Sequence, residues 1–428
     1  MSRPRPWVRR AYAGALYLLA PLIWRRVWRE QLPGRARRER LGLIAPAGEG
    51  ERTLWLHCAS VGEVQAARPL IEALAERWPG HRLVITTMTA TGAQRVLALA
   101  AQGSIELQHH FVPLDFSGAA RRFVARLRPR LAIFFETELW PHLLAACDRA
   151  EVPVAVVNGR LSPRAWRGYR RLRWLMEEAL SHVTWLAAKS EADAQRFVAL
   201  GMAASRTTVV GSLKFDIAAD DEVHKVSERL RTRLGERPVW VAGSTHPEED
   251  EQVLAAHARL RAWRPDALLI LVPRHPRRFD AVAALCRQAG LEVARRSRDE
   301  WPQDETAVYL GDTMGELLTW YAAADLAFVG GSLVPVGGHN LLEPAAVGTP
   351  VLSGPALANF ADVAEVMRAA SALVEVTDAA HLADALQRLW CDAEERGRLA
   401  EAGRAVVAAN RGALARTMAG LERLLPAE

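Results

Sequence analysis

The sequence predicts an α/β protein of two doubly wound, Rossmann-like domains, and three observations carry that expectation. The chain has 428 residues, more than one ordinary hydrophobic core accommodates. From Thr53 onward, short apolar runs alternate with longer helical patterns, as in a parallel sheet with crossover helices. The alternation then lapses over Asp216 to Arg237, a polar stretch without strand character, and begins again. The expected division is 1–40 for a basic N-terminal membrane-anchor segment, 41–220 for the first domain and 221–428 for the second.

In the first half, strands are expected at Leu54–His57, Arg82–Thr86, Leu131–Phe135 and Val154–Val157, with helices near Glu63–Arg77, Thr91–Ala101 and Leu139–Ala150. In the second half they are expected at Val239–Ala242, Ala267–Val272, Leu291–Val293, Val308–Leu310, Leu326–Val329 and Pro350–Leu352. Such domains bind ligands beyond the carboxyl ends of their strands. Chemically active residues are therefore expected just after strands, facing a shared cleft.

The net charge of +6 is uneven. Residues 1–40 hold eleven arginines (among them Arg3, Arg5, Arg9 and Arg10) against Glu30 and Glu39, leaving 44 basic and 47 acidic residues elsewhere. No basic surface spreads over the globular body, so nucleic acid is not an expected partner. Between the arginines, Ala11 to Trp24 is free of charge but shorter than the roughly twenty residues of a spanning helix. Flanking aromatics and arginines suit an anionic membrane surface. The expectation is an interfacial or signal-anchor helix, the alternatives being a cleaved signal peptide and a first helix packed on its own domain. The bulky Trp24-Arg-Arg-Val-Trp28 speaks against cleavage. Cys58, Cys147, Cys286 and Cys391 are scattered and imply neither metal nor redox chemistry.

Candidate residues fall after strands in both halves. Glu63 follows the first, in Ala59-Ser-Val-Gly-Glu63, where it reads either as a first-turn acid complementing the helix dipole or as a general base. Glu136-Thr-Glu-Leu-Trp-Pro141 puts two carboxylates beyond an apolar run, either around a Thr137 cap or with one facing substrate. Lys214, one of three lysines against 52 arginines, offers a compact charge. Arg274 and His275 stand where a guanidinium can grip a phosphate. Gly311-Asp-Thr-Met-Gly-Glu316 is a glycine turn suited to backbone contacts. Gly330 to Pro344 is a glycine-rich turn into a helix, with Asn340 and Glu343 three residues apart to meet a ribose.

These segments, together with Asn158-Gly-Arg-Leu-Ser162 and Gly337-Gly-His-Asn-Leu-Leu-Glu-Pro344, resemble the 3-deoxy-D-manno-octulosonic acid (Kdo) transferases of lipopolysaccharide assembly along essentially the whole chain. The resemblance implies the GT-B fold, CMP-Kdo as donor, lipid IVA as acceptor and a place at the cytoplasmic face of the inner membrane. It implies Glu63 as proton acceptor, with Glu136 and Lys214 stabilising the transition state. Arg274, His275, Met314, Gly315, Glu316, Asn340, Leu341, Leu342 and Glu343 would line the CMP site. No metal or other cofactor is expected, since CMP leaves with a single phosphate. A UDP-sugar transferase and a non-catalytic nucleotide-binding protein remain as alternatives.

Overall fold

The computed structural model describes residues 6–29, 33–101, 103, 105–217 and 221–425; Arg3, Arg5 and Glu30 of the basic segment, and 218–220 of the interdomain stretch, lie outside them. The chain forms two compact units, 1–216 with 411–428, and 217–410. The tail expected to complete the second domain instead returns to the first. Its helix Ala413–Leu424 packs there because Leu421 and Ala413 join the core around Trp185 and Leu213.

The first unit holds seven parallel strands: β1 Thr53–His57, β2 Arg82–Thr87, β3 Leu107–Phe111, β4 Pro129–Phe135, β5 Val154–Gly159, β6 Trp185–Ala188 and β7 Thr207–Val209. Their order is β3-β2-β1-β4-β5-β6-β7. Alternate residues feed two separate cores. Trp55, Val84, Ala132, Phe134 and Val156 face one, Leu54, Leu56, Ile85, Ile133 and Phe135 the other. A parallel sheet covered on both faces demands such unbroken apolar strands.

The second unit repeats the plan with β8 Val239–Thr245, β9 Leu268–Pro273, β10 Val293–Arg295, β11 Val308–Leu310, β12 Leu326–Val329, β13 Val351–Ser353 and β14 Leu373–Glu375, ordered β10-β11-β9-β8-β12-β13-β14. In the first sheet the chain builds outward from β1 to β3, whereas in the second β11 inserts between β9 and the edge strand β10; in both it then returns to the other side of the first strand. The reversals fall between β1 and β4, and between β8 and β12. At such a switch point the following loops diverge and leave a crevice.

The N-terminal helix Pro6–Arg29 packs on the first unit. Val8 and Val27 are buried, Trp7 stacks on Trp174, and Arg9 Nε reaches Glu178 Oε1 at 3.0 Å. Leu18 (83 %), Leu19 and Leu22 (61 %) are exposed. Among the described residues no helix is long and apolar enough to cross a membrane. The helix is thus packed on its own domain while leaving several large apolar side chains exposed.

Candidate functional site

The first switch point gathers carboxylates. The helix Val61–Ala66 begins after β1 with Ser60 as N-cap. Glu63 N–H donates to Ser60 Oγ at 3.4 Å, Ser60 Oγ donates to Glu63 Oε1 at 3.0 Å, and Ala59 N–H donates to Glu63 Oε2 at 2.8 Å. This is a capping-box variant, so the helix-start reading of Glu63 holds in full. It does not displace the catalytic one. Burial raises the Glu63 carboxyl, and Glu138 and Glu136 raise it further, against the Ala59 hydrogen bond and His57; it is pushed up to about 7. The same three carboxylates, after burial itself, hold the Cys58 thiol well above its ordinary value, leaving it inert.

Glu136 follows β4 with φ 61°, a left-handed conformation unusual for glutamate, and its N–H donates to Val157 O at 2.9 Å. Asn158, at the end of β5, has φ 51°. Such strain costs on the order of 1–3 kcal/mol per residue and gathers at functional sites. Thr137 is not the expected helix cap: its hydroxyl donates to Arg160 O. The helix Pro141–Arg149 starts later, and Asp115 accepts from His142 N–H (3.1 Å) and Leu143 N–H (2.9 Å). Glu138 accepts from Trp140 Nε1 at 2.7 Å and lies 3.6 Å from Nε2 of buried His57. Burial would raise its carboxyl, but His57 and then Trp140 hold it below the usual range. Lys214 lies in a tight turn, Leu213–Phe215, and Asn158 Oδ1 accepts from Leu213 N–H at 3.4 Å.

The second switch point is built from backbone. Glu249, fully buried, accepts at Oε2 from Gly331 N–H (2.7 Å) and His246 N–H (3.2 Å), and at Oε1 from Ser332 and Leu333 N–H (both 3.0 Å). One carboxylate thus folds the loop after β12 onto the loop after β8. Gly331 (φ 68°) and Gly338 (φ 76°) close this loop with a 2.8 Å backbone bond. A Cβ on Gly331 would come within 2.9 Å of the His339 ring, which requires glycine there. His246 and His339 share a 2.8 Å Nε2–Nε2 hydrogen bond with rings 10° from parallel, and His275 stands edge-on to His246. Burial, then Arg274, His246 and His275, hold His339 down at about 3. The pair is neutral near pH 7, one ring donating and the other accepting.

The pattern of the family described as 3-deoxy-D-manno-octulosonic-acid transferase (kdotransferase) matches residues 35–217. The 3-deoxy-D-manno-octulosonic acid transferase of Bordetella pertussis is 41 % identical over 429 residues, covering 97 % of this chain and 99 % of that one. The Haemophilus influenzae enzyme of the same description is 39 % identical over 85 % of each chain. The chain belongs to the 3-deoxy-D-manno-octulosonic acid transferase family. It is a glycosyltransferase. A solved glycosyltransferase from Rickettsia africae shares its fold, with a TM-score of 0.52 at 12 % identity over 89 % of this chain and 100 % of that one. The likeness is to a GT-B-like fold of parallel-sheet α/β units.

In this transferase Glu63 and Glu136 share one switch point, with Lys214 in a turn tied to β5. Arg274, His275, Asn340 and Glu343 gather around the other. Asn340 Nδ2 donates to Glu343 Oε1 at 3.2 Å, and its Oδ1 accepts from Leu342 N–H at 3.2 Å. Asn340 thus precedes the helix Leu342–Val347 instead of sharing its face. Burial raises the Glu343 carboxyl, and Asn340 and Arg274 oppose it. Met314 is 64 % exposed on the loop after β11, beside Gly315 (φ 92°). Glu316 is held by the Thr313 hydroxyl and by Arg296 Nη2 at 3.1 Å. Leu341 and Leu342 have fully buried side chains, so only their backbone can line a site.

Of four shaping residues, His57 escapes a reading of the sequence, since it reads as the polar end of a strand. Glu138 stands out as one of the two carboxylates after β4, and His246 and Glu249 fall in Val241 to Glu249, a glycine turn suited to binding an anion or starting a helix, but the contacts that give these three their roles do not show. For Glu249 the available signal was a second acid beside Glu248, one more than a helix start needs.

Proposed function

We propose that this transferase moves Kdo from CMP-Kdo to the lipid A precursor lipid IVA, with inversion at the anomeric carbon. The observation that carries this reading is Glu63: a carboxyl raised to about 7 at a switch point, where a base of that strength suits proton removal near neutral pH. Glu63 takes the proton of a glucosamine 6′-hydroxyl, in competition with Ser60 for Oε1. The hydroxyl oxygen bonds to the anomeric carbon as the bond from that carbon to the CMP phosphate oxygen breaks. The electron pair leaves with CMP and the proton stays on Glu63.

Glu136 and Lys214 would stabilise charge at the reacting centre. Arg274 and His275 would hold the leaving phosphate, and Asn340 with Glu343 the ribose. Met314, Gly315, Glu316, Leu341 and Leu342 would contribute mainly backbone groups. A monophosphate leaving group places less demand on charge neutralisation than a diphosphate, so the reaction would run without a metal ion. The helix Pro6–Arg29 would lie on the cytoplasmic face of the inner membrane through Leu18, Leu19 and Leu22, its arginines meeting anionic lipid.

The test is mass spectrometry of product from purified protein, CMP-Kdo and lipid IVA, with and without EDTA. Mass gains in whole Kdo units, unaffected by EDTA, are the expected result and count the additions. Absence of product with intact donor would sink the reading and turn attention to UDP-sugars.

A further inference from the structure

The helix Pro163–Arg171 has the sequence Pro-Arg-Ala-Trp-Arg-Gly-Tyr-Arg-Arg and no buried residue. Arg164, Arg167 and Arg171, at i, i+3 and i+7, form one stripe, and all are exposed. Among the described residues none of these three guanidinium groups meets a carboxylate within ion-pair distance, and the helix itself contains no acid. Like charges at this spacing repel, and Gly168 in the interior disfavours the helix further. What fixes it is the Ser162 cap, which accepts from Ala165 N–H at 3.2 Å, and Trp166 and Tyr169 packed against the first unit's core. The arginine stripe is therefore held in place by its neighbours while costing stability itself.

Its location gives the stripe a use. The helix starts four residues beyond β5, and Arg160 O accepts the Thr137 hydroxyl from the carboxylate loop. The charge of Glu138 reaches Tyr169, whose hydroxyl burial and then Glu138 hold above its ordinary range. Glu63, Glu136 and Glu138 together form a negative cluster that would repel an anionic acceptor. The next helix, Arg173–Ser181, carries Trp174 against Trp7 at the start of the N-terminal helix.

We propose that Arg164, Arg167 and Arg171 form a recognition site for a phosphate monoester on the acceptor's saccharide, offsetting the carboxylate cluster. The acceptor's identity rests on the Kdo-transfer reading. Guanidinium groups suit this ligand because their donors pair bidentately with phosphate oxygens.

Calorimetric titration of the full chain in neutral detergent micelles, with lipid IVA and with its fully dephosphorylated form, tests the site apart from catalysis. The wild type should bind the phosphorylated lipid on the order of tenfold more tightly, and R164Q/R167Q/R171Q should lose that preference while keeping its circular dichroism spectrum. R164K/R167K/R171K should recover part of it, and R259Q, on an exposed arginine of the second unit, should leave it unchanged. A wild type that binds both lipids alike overturns the proposal. So does a triple glutamine variant that retains the preference, or one impaired only on anionic vesicles and not in neutral micelles, which would assign the stripe to bulk membrane lipid. Failure of the transfer assay with intact phosphate-selective binding would sink the Kdo reading alone.

Discussion

The two switch points occupy equivalent places in their sheets and are made of opposite materials. Between β1 and β4 the working groups are side-chain carboxylates set against one another, Glu63, Glu136 and Glu138, beside backbone held at positive φ. Between β8 and β12 the same topology carries a peptide loop, and its buried carboxylate, Glu249, is consumed by four backbone N–H groups. Burial and then repulsion tune a proton affinity in one; hydrogen-bond satisfaction fixes a shape in the other. A switch point thus supplies only a crevice, and whether it becomes reactive or receptive depends on whether its acids are left competing or fully engaged.

Glu63→Gln probes the difference most strongly. It retains an oxygen for the cap but removes the base, so turnover should fall by about 10²–10⁴-fold with little change in thermal midpoint. A variant with near-normal initial rates would remove Glu63 from the chemistry. Glu249→Ala should do the reverse, stranding buried donors at a cost of about 3 kcal/mol or more and abolishing protection by CMP. Denaturant titration measures it, and an unchanged midpoint would break the contrast between the two sites.

Titration sharpens the comparison further. Glu63 works as a base only when ionised, so the rate should climb as pH rises through about 7. Glu138→Gln, which removes one repelling charge, should slide that profile toward acid; a profile that stays put would deny the coupling. The smallest effect belongs to His339. Its folded value, near 3, lies below the ordinary 6.5, so its stabilising contribution is present above pH 6.5 and is lost as pH falls from there toward 3. His339→Gln should therefore reduce the drop in thermal midpoint between pH 7 and 5, by about 2 °C. An identical drop in both proteins would show that the imidazole pair carries no such linkage.

Most of the architecture was legible because parallel strands buried on both faces announce themselves as apolar runs, as Leu131–Phe135 does. The strand β3, Leu-Gln-His-His-Phe, did not, since its polar residues are satisfied far away in sequence. His109 meets Arg35 and Thr87, and His110 meets Glu39. The short strands β6, β7 and β14 are not marked either, and β7 and β14 bury too little to read as apolar runs. The expected helix Glu63–Arg77 is two helices, broken at Ala67 before Pro69. In the sites the rule is similar. Glu63 was readable because a strand end and a helix start flank it locally, whereas the partners of Glu249 lie more than eighty residues on.

The return of the tail has a consequence for synthesis. Asp216 Oδ1 and Oδ2 accept from Gly412 and Leu414 N–H, at 2.6 and 2.5 Å, so the last helix is clipped where the chain first leaves its unit. Gly420 then lies so close to Trp185 that a Cβ there would clash at 2.1 Å. On the ribosome the second unit has all its residues available before 411–424 are made, so the first waits with the Trp185 surface uncovered until that helix emerges. The earlier-made unit is therefore completed after the later one, and loss of the helix Ala413–Leu424 would fall on the first unit alone.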